Sequence, residues 1–123
     1  MKADGSVDSS SYVPYTGASS NLDMGGYTVT ASAFYESSDI RFKNVLETNP
    51  NISAIGIDVI KFTRNGSDTI RYGYSAQQVQ SIVPDAVFGD NELVVNYMDV
   101  HTLKIASLEN RVAELELRLK STI

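Results

Sequence analysis

The chain of 123 residues contains no cysteine and a single histidine, His101. Without cysteine there are no disulfides and no thiolate metal sites, so robustness outside a cell would need another source. With one histidine a multi-histidine metal centre is excluded, and neither a metal nor a cofactor is expected. Basic residues are few. Ten Lys and Arg stand against fifteen Asp and Glu, for a formal net charge of −5. That balance argues against a nucleic-acid binder, because phosphate contact depends on clustered cations. No apolar run approaches the roughly 18 residues that cross a bilayer, so no membrane partner is expected. Phosphate-cradling glycine loops, paired carboxylates in a cleft motif and metal-ligand spacings are missing as well. The opening residues Met1 to Gly5 lack the apolar stretch of a secretory signal, so cytosolic synthesis is expected, and they read like the interior of a longer protein.

What is present permits a core, with 42% hydrophobic residues, but a modest one in so short a chain. Oligomerisation often supplies what such chains lack. Composition shifts near residue 37. Residues 1–37 hold eight Ser, three Thr and four Gly, with one lysine against four acids, and no helix-period stripe. Leu22-Asp23-Met24 and Tyr27-Thr28-Val29-Thr30 flank Gly25-Gly26 and read as short strands about a glycine turn. A lone hairpin is marginal in water, so these strands need sister chains to cover them; the other reading is a flexible linker. After a turn at Asn49-Pro50-Asn51, the runs Ile57 to Phe62 and Thr69 to Tyr74 are rich in β-formers. Asn65-Gly66-Ser67-Asp68 between them predicts a β-hairpin. Ser75-Ala76-Gln77-Gln78 has capping-box spacing, with Gln78 able to reach back. The short helix it opens turns Val79 and Ile82 inward and stops before Pro84. Glu92 to Tyr97 reads as a further strand.

The clearest periodicity comes last. Ile105, Leu108, Val112, Leu115 and Leu119 follow the 3-4-3-4 spacing of a heptad seam. With Ile105 at a, the g positions are Lys104, Arg111 and Arg118, and the e positions are Glu109 and Glu116. In a parallel coiled coil Lys104 faces Glu109 and Arg111 faces Glu116 of the neighbour, opposite in sign both times. A helix packed on its own domain explains the stripe without the matched charges. His101 falls on the d position one heptad before Leu108 and reads as a seam or boundary residue. Ile or Val at a with Leu at d often favours dimers, so self-association follows from the helix and its number does not.

Ser38-Asp39-Ile40-Arg41-Phe42-Lys43 reads S-D-x-R-x-K, which resembles the opening signature of the intramolecular chaperone family, self-cleaving serine peptidases that end phage endosialidases, neck appendages, tail fibres and tailspikes. Ile70 to Val79 resembles the family's strand-to-helix segment, and Ile82-Val83-Pro84-Asp85-Ala86-Val87 the block after it. Leu93 to Tyr97 resembles the strand leading into the final helix. The resemblance spans residues 38–120 in order, with Phe42 where the family commonly has Leu. Tyr15-Thr16-Gly17-Ala18 and Leu22-Asp23-Met24-Gly25 are similar to repeats in fibre shafts.

The resemblance implies an α+β homotrimer. Residues 1–37 would be the intertwined, β-rich end of a fibre shaft. Residues 38–97 would form a small β-hairpin and short-helix domain for folding and self-cleavage. Residues 98–123 would form the coiled-coil helix. The implied catalytic pair is Ser38 as nucleophile and Lys43, with Asp39 and Arg41 in support. The implied partners are sister chains, the parent shaft and, for the mature fibre, a host receptor. Assembly would take place in the bacterial cytoplasm, and the mature fibre would sit in the virion tail.

Serine needs a base to take its proton, and lysine serves only when neutral, through burial or a nearby positive charge. Arg41 either supplies that charge or pairs with Asp39. Attack by Ser38 on its preceding carbonyl passes through a five-membered ring and cuts Ser37–Ser38; attack from another subunit would cut after Ser38. On residues 38–43 alone, a helix cap with an exposed lysine is the competing reading. Two other functions compete for the whole chain. One is an uncleaved trimerisation and receptor-binding tip. The other is the processing domain of a membrane-linked transcription factor, against which the missing basic region and membrane span count.

Overall fold

The computed structural model describes Pro14 and residues 16–50, 52–53 and 55–122. Residues 1–13, Tyr15, Asn51, Ala54 and Ile123 lie outside the described residues, and with them parts of the expected shaft segment, the Tyr15 repeat, the turn at Asn51 and the end of the last helix. The chain forms two compact units, Met1–Asn44 and Val45–Ile123.

In the first unit, the glycine turn forms and the strands beside it do not. The Tyr27 amide donates to the Met24 carbonyl at 3.2 Å and the Gly25 amide to Asp23 Oδ1 at 2.7 Å. Gly25 takes φ 59°, which suits a residue without Cβ. No ladder joins residues 22–24 to 27–30, and every described residue of this unit is exposed in the single chain. Two short segments with no third strand or packed face among the described residues cannot offset their ordering entropy.

The second unit is a small α+β domain. Strand β1 (Ile60–Phe62) pairs antiparallel with β2 (Arg71–Gly73), Lys61 opposite Tyr72. The chain reverses at Asn65-Gly66, with Gly66 at φ 81° and the Ser67 amide on the Arg64 carbonyl at 3.0 Å. Helix α1 (Ala76–Ile82) begins at Ser75, whose hydroxyl accepts from the Gln78 amide at 3.3 Å. Gln78 does not reach back to complete the box. Its side chain crosses to Asp58, accepting from that amide at 2.9 Å and donating to the carboxylate at 3.1 Å. Tying down a strand-side donor outcompetes capping, because the Asp58 amide has no ladder partner of its own.

Pro84 ends α1, and a 3-10 turn at Pro84–Ala86 leads into β3 (Val87–Phe88), which pairs antiparallel with β4 (Val94–Val95). The expected strand from Glu92 to Tyr97 thus shrinks to two residues. Asn96 caps the next helix, accepting from the Asp99 amide at 3.2 Å, so Tyr97 opens helix α2 (Tyr97–Ser121) and does not close a strand. The Asn96 amide donates to the Ala86 carbonyl at 2.8 Å, fixing the start of α2 against the turn after α1. Val79 and Val100 are fully buried, and with Ile57 and Ala86 they form the core, flanked by Ile55, Tyr74, Val83, Val87 and Val95. Ile82, expected inside, is 42% exposed, since Val79 alone fills the core side of so short a helix.

Candidate functional site

A five-residue separation leaves Ser38 and Lys43 roughly 17 Å apart in an extended chain. Here a 3-10 turn at Ile40–Phe42 brings them together. The Phe42 amide donates to the Asp39 carbonyl and the Lys43 amide to the Ile40 carbonyl, both at 3.1 Å. Lys43 Nζ then lies 2.7 Å from Ser38 Oγ. The nucleophile and base candidates are thus in direct contact, the first geometric requirement of a serine–lysine pair.

Asp39 caps this turn. Its Oδ1 accepts from the Arg41 amide at 3.0 Å. The same carboxylate takes the Arg41 guanidinium, with Nη2 at 2.7 Å from Oδ2 and Nε at 3.1 Å from each oxygen. The Arg41 guanidinium, and then its backbone amide, hold the Asp39 carboxyl below the usual carboxylate range. Asp39 in turn raises the Arg41 guanidinium. Of the two options the sequence left open, the structure shows pairing: the Arg41 guanidinium lies on Asp39 in an exposed surface ion pair. The competing cap is also real, and it is Asp39 that makes it, leaving the Ser38 hydroxyl to Lys43. Ser37, Ser38 and Lys43 are all exposed in the single chain, so none of the described residues removes water from the pair.

The second candidate surface is α2. Val100 and Ser107 are buried against the domain. Ile105, Leu108, Val112, Leu115 and Leu119 are 56, 64, 53, 46 and 64% exposed. The apolar stripe is therefore not the one that packs on its own domain. At 100° per residue, the stripe from Ile105 to Leu119 centres nearly a third of a turn around the helix from Val100 and Ser107. Arg111 and Arg118 both pair with Glu114, at 3.2 and 2.7 Å, surface contacts that exchange readily. Lys104 also has contacts within the chain. Its ammonium donates to the Ile57 carbonyl at 3.0 Å and stands 5.0 Å from the Tyr74 ring centre.

One cluster had no signal in the sequence. Tyr97 packs edge-on against Tyr74, and its hydroxyl takes the Tyr74 amide at 3.1 Å. His101 Nδ1 lies 2.8 Å from the Tyr74 hydroxyl. Residues 23 to 27 positions apart carry no periodic mark of contact. A shallow cleft of about 230 Å³ is lined by Val83, Asp85, Ala86, Asp99, Thr102 and Leu103. It holds no nucleophile–base pair, because the Thr102 hydroxyl donates to the Met98 carbonyl. Among the described residues no helix is long and apolar enough to cross a membrane, and no group of three or more His, Asp or Glu side chains is gathered. Comparison with family models, curated proteins and solved structures finds no match.

Proposed function

We propose that this chain is the intramolecular chaperone at the end of a phage tail fibre or tailspike, which assembles its parent as a homotrimer and then releases itself by cutting next to Ser38. The observation that carries the reading is the 2.7 Å contact between Lys43 Nζ and Ser38 Oγ. In the cleavage step a neutral Lys43 takes the Ser38 hydroxyl proton, and Oγ attacks the Ser37 carbonyl carbon through a five-membered ring. The new C–O bond forms as the Ser37–Ser38 C–N bond breaks, and the proton passes to the freed Ser38 amine. Water then hydrolyses the ester, leaving the Ser37 carboxylate and restoring the Ser38 hydroxyl.

Assembly explains why an exposed pair would wait. A lysine loses its proton readily only where water is excluded or positive charge is near, and sister chains supply both when three copies of residues 38–43 meet. The unpartnered seam of α2 supports that association, with the number three taken from the family resemblance. Synthesis and assembly take place in the bacterial cytoplasm, with the mature fibre in the virion tail and a host receptor as its eventual partner. The solvent exposure of Ser38 and Lys43 also favours a second reading, a permanent trimerisation and receptor-binding tip with a structural serine–lysine contact. Two variants separate them. Ser38→Ala removes the attacking oxygen, and Lys43→Arg keeps a cation that cannot accept the proton. Cleavage reads as abolished in both; a Lys43→Arg chain cut at the wild-type rate removes Lys43 as the base.

A further inference from the structure

The Asp39 carboxylate answers two needs that conflict. It caps the turn that brings Lys43 to Ser38, accepting from the Arg41 amide at 3.0 Å. Yet an unpaired carboxylate one turn from Lys43 would favour the ammonium form, the form that cannot act as a base. Arg41 lies over that same carboxylate, with three guanidinium contacts between 2.7 and 3.1 Å. The cap is kept and its charge is cancelled.

We propose that Asp39 and Arg41 form a charge-neutral positioning clamp, in which Asp39 folds the turn that sets Lys43 on Ser38 and Arg41 offsets the negative charge that this cap brings beside the base. The role rests on the serine–lysine reading above, but its geometry does not require that the bond be cut. Neither residue touches the reacting atoms; both act through Lys43. The identity of each group matters. Asn at 39 still caps, since its side-chain oxygen accepts an amide as well as that of Asp, but it leaves Arg41 as an uncompensated cation. Gln at 41 keeps the backbone amide donor and leaves Asp39 as an uncompensated anion. The two substitutions therefore push Lys43 in opposite directions.

Nuclear magnetic resonance on the full-length chain at low salt tests both halves. Its mass is checked before and after recording. The first readout is the nuclear Overhauser contact between the Lys43 ε-protons and the Ser38 β-protons, and the second is the titration of the Lys43 ε-carbon. Asp39→Ala weakens the proton contact, because the equilibrium constant for the turn falls about fivefold, as for the loss of a cap. Asp39→Asn keeps the contact and moves the Lys43 midpoint down by a few tenths of a pH unit, the size that ~80-dielectric Coulomb attraction gives exposed charges one turn apart. Arg41→Gln keeps the contact and moves the midpoint up by a similar amount, and Arg41→Lys restores it. A residue that merely stabilised the segment would not move the two midpoints in opposite senses. An undiminished contact in Asp39→Ala overturns the positioning role, and coincident midpoints in Asp39→Asn and Arg41→Gln overturn the neutralising one. A wild-type chain that behaves as described and is never cut sinks the cleavage reading while leaving the clamp standing.

Discussion

Gly73 has no room for a side chain. A Cβ built there would lie 2.8 Å from Tyr97 Cε2 and 2.9 Å from Cζ, and closer still to the hydroxyl oxygen. Tyr97 cannot yield freely, because its hydroxyl satisfies the Tyr74 amide at 3.1 Å and its ring packs on Tyr74 with centres 5.0 Å apart. Gly73→Ala therefore forces the ring away from the β1–β2 hairpin. Overpacking of this kind costs about 1–3 kcal/mol, and stranding the half-buried Tyr74 amide adds about 1 kcal/mol. In a domain this small the sum lowers the melting temperature by roughly 10 °C or more. Thermal unfolding followed by circular dichroism reads the shift. Tyr97→Phe removes the nearest contact and the hydrogen bond together, so the further cost of Gly73→Ala should shrink in that background. A Gly73→Ala protein melting within about 1 °C of the wild type, or an equal cost in both backgrounds, refutes the close approach of hairpin and helix.

Two further outcomes follow from the surface and the site. Leu108→Asp with Leu115→Asp places charges on the exposed seam of α2 without touching the buried Val100 face, so light scattering should report monomers or aggregates while far-ultraviolet dichroism keeps its helix signal; an unchanged oligomer mass removes the seam as the interface. The turn at residues 40–42 should respond to acid with a definite sign. Because Arg41 depresses the folded-state Asp39 carboxyl, the turn gains from Asp39 at pH above the ordinary carboxylate range and loses that gain as pH falls through the depressed value. The Arg41 amide resonance reports it, and a midpoint at or above the ordinary value of about 3.9 contradicts the pairing.

How far the residues alone foretold this arrangement depended on whether the signal was local. The β1–β2 hairpin was legible because Asn65-Gly66 sets its own reversal between two runs of β-formers, and α1 and α2 because a cap or a heptad repeat is written in consecutive residues. The β3–β4 pair was not, since two-residue strands such as Val87–Phe88 are made by what they dock against. Gln78 went astray for the same reason: it found a partner 20 positions away that offered more than the local one. At the site, the family resemblance pointed to Ser38 and Lys43, whose contact needs only the turn between them. The choice Arg41 makes was hidden, because pairing with Asp39 and pointing toward Lys43 are equally compatible with a two-residue offset.

The central claim is that Ser38 and Lys43 cut the chain, and the most direct measurement is the intact mass of freshly purified protein with the N-terminal sequence of each species. The account predicts two pieces, residues 1–37 and 38–123, the second beginning Ser-Asp-Ile-Arg. A piece beginning Asp-Ile-Arg-Phe contradicts the five-membered ring, and a single uncut mass from a confirmed oligomer contradicts the claim itself.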